Sequence, residues 1–111
     1  MADYLHEGKS IDYKPVADIT AGDVIVLGDL IAIARLDIEA GRLGALAVIG
    51  VFDVAKATGA GTALTTGTKV YWDDAAKVVT DTDNAGANKY FGKVVADAGD
   101  DDATVRARLE Q

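Results

Sequence analysis

Apolar residues in this chain gather in short continuous runs bounded by glycine and aspartate, with little helical spacing. Val24-Ile25-Val26-Leu27 is one such run, and its β-branched character predicts a buried strand. Gly28-Asp29 separates it from Leu30-Ile31-Ala32-Ile33-Ala34, the signature of a hairpin. Residues 46–54 predict a third strand, with Gly50 inside it at a bulge or a close approach. Lys69-Val70-Tyr71-Trp72 and Lys77-Val78-Val79-Thr80 flank Asp73-Asp74-Ala75-Ala76 as a second hairpin. After a polar loop over 81–88, residues 90–96 and 104–109 complete the set. The last of these alternates Val105, Ala107 and Leu109 against Thr104, Arg106 and Arg108.

A helix through the Ala-rich centre is disfavoured, because Gly41, Gly44 and Gly50 would each cost about 1 kcal/mol relative to alanine. Single helical turns fit at 37–40 or 98–103, and nothing longer. Short strands with frequent turn signals predict an all-β fold, a small β-sandwich or barrel.

Residues 1–16 differ from the rest: they hold charges, two tyrosines and the sole proline, with apolar residues too sparse for a core strand. Pro15 favours extended chain at Lys14. The pattern predicts an extended N-terminal arm over 1–16 ahead of a compact β-domain over 17–111. Tyr4, Leu5, His6, Ile11 and Tyr13 give that arm groups to bind with. Tyr71 and Trp72 are strand neighbours, so one faces inward and the other outward. Trp72 joins the interface candidates on that basis.

The length of 111 residues suits one domain, and 50% apolar content suffices for a core built from Val, Ile, Leu and Ala, since aromatics reach only 6%. Without cysteine there is neither a disulfide framework nor a thiolate metal site, which fits synthesis in a reducing cytoplasm. The net charge of −7 repels phosphate backbones and anionic lipid, so nucleic acid and membranes are poor partners. No apolar stretch approaches the roughly 20 residues of a spanning helix, and the acidic N-terminus does not read as a secretory signal.

Candidate chemistry is thin. His6 and Ser10 would have to build any Ser-His-Asp relay from within the arm, away from a rigid scaffold. Gly8-Lys9-Ser10 matches the end of a phosphate loop, but Asp3 stands where its first glycine is needed. Residues 81–86 resemble the start of a calcium loop, yet position five is Ala85 and position twelve is Gly92 in place of a bidentate glutamate. Asp100-Asp101-Asp102 reads as a solvated turn. Lysines 69, 77, 89 and 93 interleave with Tyr71, Trp72 and Tyr90 as a loose stacking platform, which the overall charge argues against. No catalytic, cofactor-binding or metal-binding residue is assigned. Thr20-Ala21-Gly22-Asp23-Val24 is echoed by Thr66-Gly67-Thr68-Lys69-Val70, which reads as recurring turn chemistry before a strand.

In order along the chain stand Tyr4-Leu5-His6-Glu7-Gly8, Ile11-Asp12-Tyr13, Ala21-Gly22-Asp23-Val24-Ile25-Val26 and Asp37-Ile38-Glu39-Ala40-Gly41. Then come Gly50-Val51-Phe52-Asp53, Gly67-Thr68-Lys69-Val70-Tyr71-Trp72-Asp73, Gly92-Lys93 and Val105-Arg106-Ala107-Arg108-Leu109. The ordered set resembles a family of short bacteriophage proteins whose better-understood members are capsid cement, or head decoration, proteins. Members usually carry a proline after the Gly-Val-Phe segment, where this chain has Val54-Ala55-Lys56. The resemblance implies a β-domain that forms homotrimers on the outer capsid surface of the virion. There it binds the major capsid protein and stabilises the lattice, with no enzyme activity, cofactor or small-molecule substrate. Two other readings stay open beside it: a receptor- or glycan-binding module, and a nucleic-acid-handling accessory protein.

Overall fold

The structure, a computed structural model, describes residues 8–111. Strands β1 (Ser10–Tyr13), β2 (Val24–Leu27), β3 (Leu30–Ala34) and β4 (Gly44–Ala47) form one antiparallel sheet in the order β1-β4-β3-β2. Strands β5 (Ile49–Ala55), β6 (Lys69–Asp73), β7 (Val78–Thr80), β8 (Lys89–Ala96) and β9 (Thr104–Glu110) form a second in the order β5-β9-β8-β6-β7. The two sheets pack on each other as the all-β reading requires. Just beyond β5, Lys56 meets Val79 of β7 in a parallel bridge, so the larger sheet curls part of the way to a barrel.

The main core lies inside that curl. Alternation along β9 sends Val105, Ala107 and Leu109 inward, and they meet Phe91, Val94, Val70, Trp72 and Val79. Ile31 and Ile33 of β3 close this core from the other sheet, while Ala32 and Ala34 face a second cluster around Leu46. Strand β3 is therefore buried on both faces, which is why its sequence is continuously apolar.

Two expectations need correction. Residues 46–54 read as one strand, but the chain changes sheets at Val48. There the Val48 N–H donates to the Lys9 carbonyl (3.0 Å) and the Val48 carbonyl accepts from the Gln111 N–H (3.2 Å). Gly50 follows this corner at φ 144°, a conformation that disfavours side chains. Residues 1–16 read as an extended arm ahead of the β-domain, too sparse in apolar groups for a core strand, yet Ser10–Tyr13 pairs with β4 as an edge strand from Ser10↔Ala47 to Tyr13↔Gly44. Two apolar side chains at period two suffice for an outer strand that needs only one buried face.

Lys56 is buried, at 3% exposure, without a carboxylate partner among the described residues. Its ammonium donates to the carbonyls of Ala57 (2.7 Å) and Asp102 (3.3 Å) and to the Thr62 hydroxyl (3.3 Å), tying together two loops. Lys56→Ala is expected to cost about 2 kcal/mol, through the lost charged hydrogen bonds and the void left by the stem. Urea unfolding measures this, and a change below about 0.5 kcal/mol would mean that the clasp does not hold in solution.

Candidate interaction surfaces

Pairing register decides which side chains share a face. Ile11↔Leu46↔Ala34 and Ile25↔Ala32 place Ile11, Tyr13, Ile25, Leu27 and Leu30 on the face of the small sheet that turns away from the main core. These five are partly buried around a fully buried centre of Leu46, Ala32 and Ala34. Two of the sequence candidates, Ile11 and Tyr13, thus stand together on one apolar face. Tyr4, Leu5 and His6 lie outside the described residues.

The loops before β2 and before β4 are clasped beside this face. Ile19 and Ile38 exchange two backbone hydrogen bonds of 2.8 Å. The Asp18 carboxylate accepts from the Ala40 N–H, and the Asp37 carboxylate accepts from the Ala21 N–H, both at 2.8 Å. Each half of the clasp reads Asp-Ile-x-Ala-Gly, at 18–22 and 37–41. The larger sheet carries a similar device, where Leu64 and Ala98 form an antiparallel bridge and the Asp97 carboxylate accepts from the Thr66 N–H at 2.7 Å. The echo between the segments at 20–24 and 66–70 therefore marks two equivalent turns, each held by an aspartate from another loop.

The Gly41 N–H donates to the Pro15 carbonyl (2.8 Å), which brings Val16 beside the loop that holds Leu36 and Leu43. These three are 99%, 77% and 70% exposed, an apolar group that folding leaves in water. Leu36 and Leu43 line an open cleft of about 530 Å³ with Arg35 and Arg42 at its rim. The sequence reading did not single out these residues as surface groups, because lone apolar residues such as Leu36 between Arg35 and Asp37, or Leu43 after Arg42, carry no periodic signal.

Trp72 does not belong to the surface. It is 5% exposed within the main core, and its indole N–H donates to Asp74 at 3.0 Å. The outward member of the pair is Tyr71, which meets Tyr90 edge to face with centroids 5.8 Å apart. One edge of Trp72 reaches a cleft of about 590 Å³ walled by Val24, Ile33, Phe52 and Val54. Charged groups at that cleft are already engaged: Asp53 with Arg106 (3.1 Å) and Lys77 with Asp74 (2.7 Å).

The acidic loops hold the backbone. Asp100 accepts from the N–H groups of Thr62 and Ala63, and Asp102 from that of Gly99. Around 81–86, the Asn84 N–H donates to the Thr82 hydroxyl, and Asn88 donates its side-chain N–H to the Thr82 carbonyl. No group of three or more His, Cys, Asp or Glu able to hold a metal ion occurs among the described residues.

Four carboxyl groups sit below their ordinary pKa range. Hydrogen bonding lowers each: from Lys89 to Asp29, from Lys77 and then Trp72 to Asp74, from Thr66 to Asp97, and from the Tyr90 hydroxyl to Glu110. Tyr90 itself is pushed up to about 12, by burial first and by Glu110 second. A carboxyl group with a depressed folded pKa stabilises the fold above its unfolded pKa and loses that contribution as pH falls through the folded value. Stability is therefore expected to be level between about pH 7 and pH 5 and to fall below about pH 4. The urea midpoint measured against pH tests this, and a midpoint that rises on acidification would contradict it.

A family model described as phage cement protein matches residues 5–109 of the chain. Neither the curated proteins nor the solved structures contain a match.

Proposed function

Because the chain belongs to the phage cement protein family, we propose that it binds the outer surface of an assembled phage head and stabilises the lattice of the major capsid protein. The observation that carries this reading is the family match over 5–109, which spans both sheets and both loop clasps. The surface supports it: Val16, Leu36 and Leu43 stay exposed, and such patches mark sites of association. Ile11 and Tyr13 extend the apolar face of the small sheet. With Tyr4, Leu5 and His6 they form the attachment segment of the subunit in this proposal. The chain acts as a homotrimer on the head, is made in the host cytoplasm, and contributes contacts with no catalysis and no small-molecule substrate.

Electron microscopy of heads with and without the protein tests the reading. Added density at local three-fold positions of the outer surface is the expected result. Density confined to the tail or to a receptor-binding fibre would instead favour a receptor or glycan module. Mass measurement in solution should give trimers, or monomers that become trimers on the head. A dimer that persists at all concentrations counts against the trimer.

A further inference from the structure

On the outward face of the larger sheet, Val51 stands opposite Arg108, Arg108 opposite Lys93, and Lys93 opposite Lys69. Three exposed cations therefore stand side by side on β9, β8 and β6, in a chain of net charge −7. Like charges directly opposed on one face of a sheet weaken its pairing, so this row works against the fold that carries it. Among the described residues a single carboxylate compensates: Glu110 lies 3.8 Å from both Lys93 and Arg108, while its shorter contact is the 2.7 Å bond from the Tyr90 hydroxyl. Lys69 has no ion pair among the described residues. Val51, 57% exposed, adjoins the row at one end, and Val95, 41% exposed, lies beside Lys93. The Tyr71–Tyr90 pair borders it on the same face. Arginine and tyrosine with exposed aliphatic neighbours are the composition of a protein interface.

Resting on the reading that the chain binds phage heads, we propose that this face makes a second contact with the head, in addition to that of the N-terminal segment, and that the surface it meets is acidic. Carboxylates of the capsid surface lie along the row Lys69-Lys93-Arg108 and relieve its mutual repulsion, while Val51 and Val95 supply apolar contact. The partner is chosen by charge complementarity: the row gathers three cations on one face of an acidic subunit, and it gains most from a surface of opposite sign. Nucleic acid fits less well, since three cations within a field of −7 offer little counterion release.

The test compares the double variant Lys69→Gln/Lys93→Gln with Lys77→Gln/Lys89→Gln, both of which lower the formal charge by two. The row variant should unfold at the same or a higher temperature than the parent, because a repulsion is removed. Its affinity for heads should fall about tenfold at 0.05 M salt, while the control binds like the parent. Raising salt to about 0.5 M should bring the parent down towards the row variant. If the parent and both variants bind heads equally, the row is not the contact and head binding itself stands. If the parent does not bind heads, both proposals fall. A row variant that binds heads normally but forms smaller oligomers assigns the face to a second copy and overturns the proposal. One that binds heads normally but loses binding to duplex DNA that the parent displays overturns it in favour of nucleic acid.

Discussion

Replacing Gly92 with alanine is expected to destabilise the fold by about 3 kcal/mol or more, lowering the thermal midpoint by about 12 °C or more. Gly92 lies in β8, between Val70 of β6 and Leu109 of β9, both fully buried. A Cβ at this position would overlap the Arg108 carbonyl oxygen, which is backbone of the adjoining strand. A flexible side chain could swing aside, whereas a paired strand can relieve the overlap only by giving up ladder hydrogen bonds. Gly41→Ala is the matched comparison. Gly41 has φ 77°, and a Cβ added there would meet nothing within 4 Å, so only the backbone preference is lost, at about 1 kcal/mol. Calorimetry on the two variants separates the effects. A Gly92→Ala protein as stable as Gly41→Ala would mean that β8 and β9 do not pair in this register.

Removing residues 1–14 is expected to cost about 3 kcal/mol, well beyond the effect of trimming a loose end. The deletion takes away β1 and with it the four register pairs to β4, so β4 becomes an unprotected edge. It also uncovers Leu46, which is fully buried under Ile11 and its neighbours, and full burial of a leucine contributes about 1.5–3 kcal/mol. Ile11→Ser/Tyr13→Ser should give a smaller loss of the same kind while leaving the backbone pairing in place. Chemical denaturation of both measures the difference. A truncated protein as stable as the parent would show that β1 adds nothing to the fold and serves attachment alone.

Where a strand had to be buried on both sides or to alternate cleanly, the sequence was legible. The hairpin of β2 and β3 follows from two apolar runs around Gly28-Asp29, and β9 follows from its strict alternation. The division of 46–54 between two sheets was not legible, because Val48 is as apolar as its neighbours and the corner is set by hydrogen bonds to Lys9 and Gln111. Nor could adjacency alone say that Trp72 faces inward and Tyr71 outward, since that depends on which face meets the core. The row Lys69-Lys93-Arg108 is a product of register among strands distant in sequence, and no local pattern announces it. The paired Asp-Ile-x-Ala-Gly segments are a signal that the sequence carries and that the reading of it passed over. Their spelling is the same at 18–22 and 37–41, and the structure clasps them to each other.

The proposed strengthening of phage heads by binding at their outer surface is measured by heating purified heads that lack the protein, with and without a saturating amount of it, and recording the temperature at which they release DNA. Bound subunits are expected to saturate a fixed number of sites and raise the release temperature. Heads that bind none of the protein, or that bind it and release DNA at an unchanged temperature, would contradict the proposal.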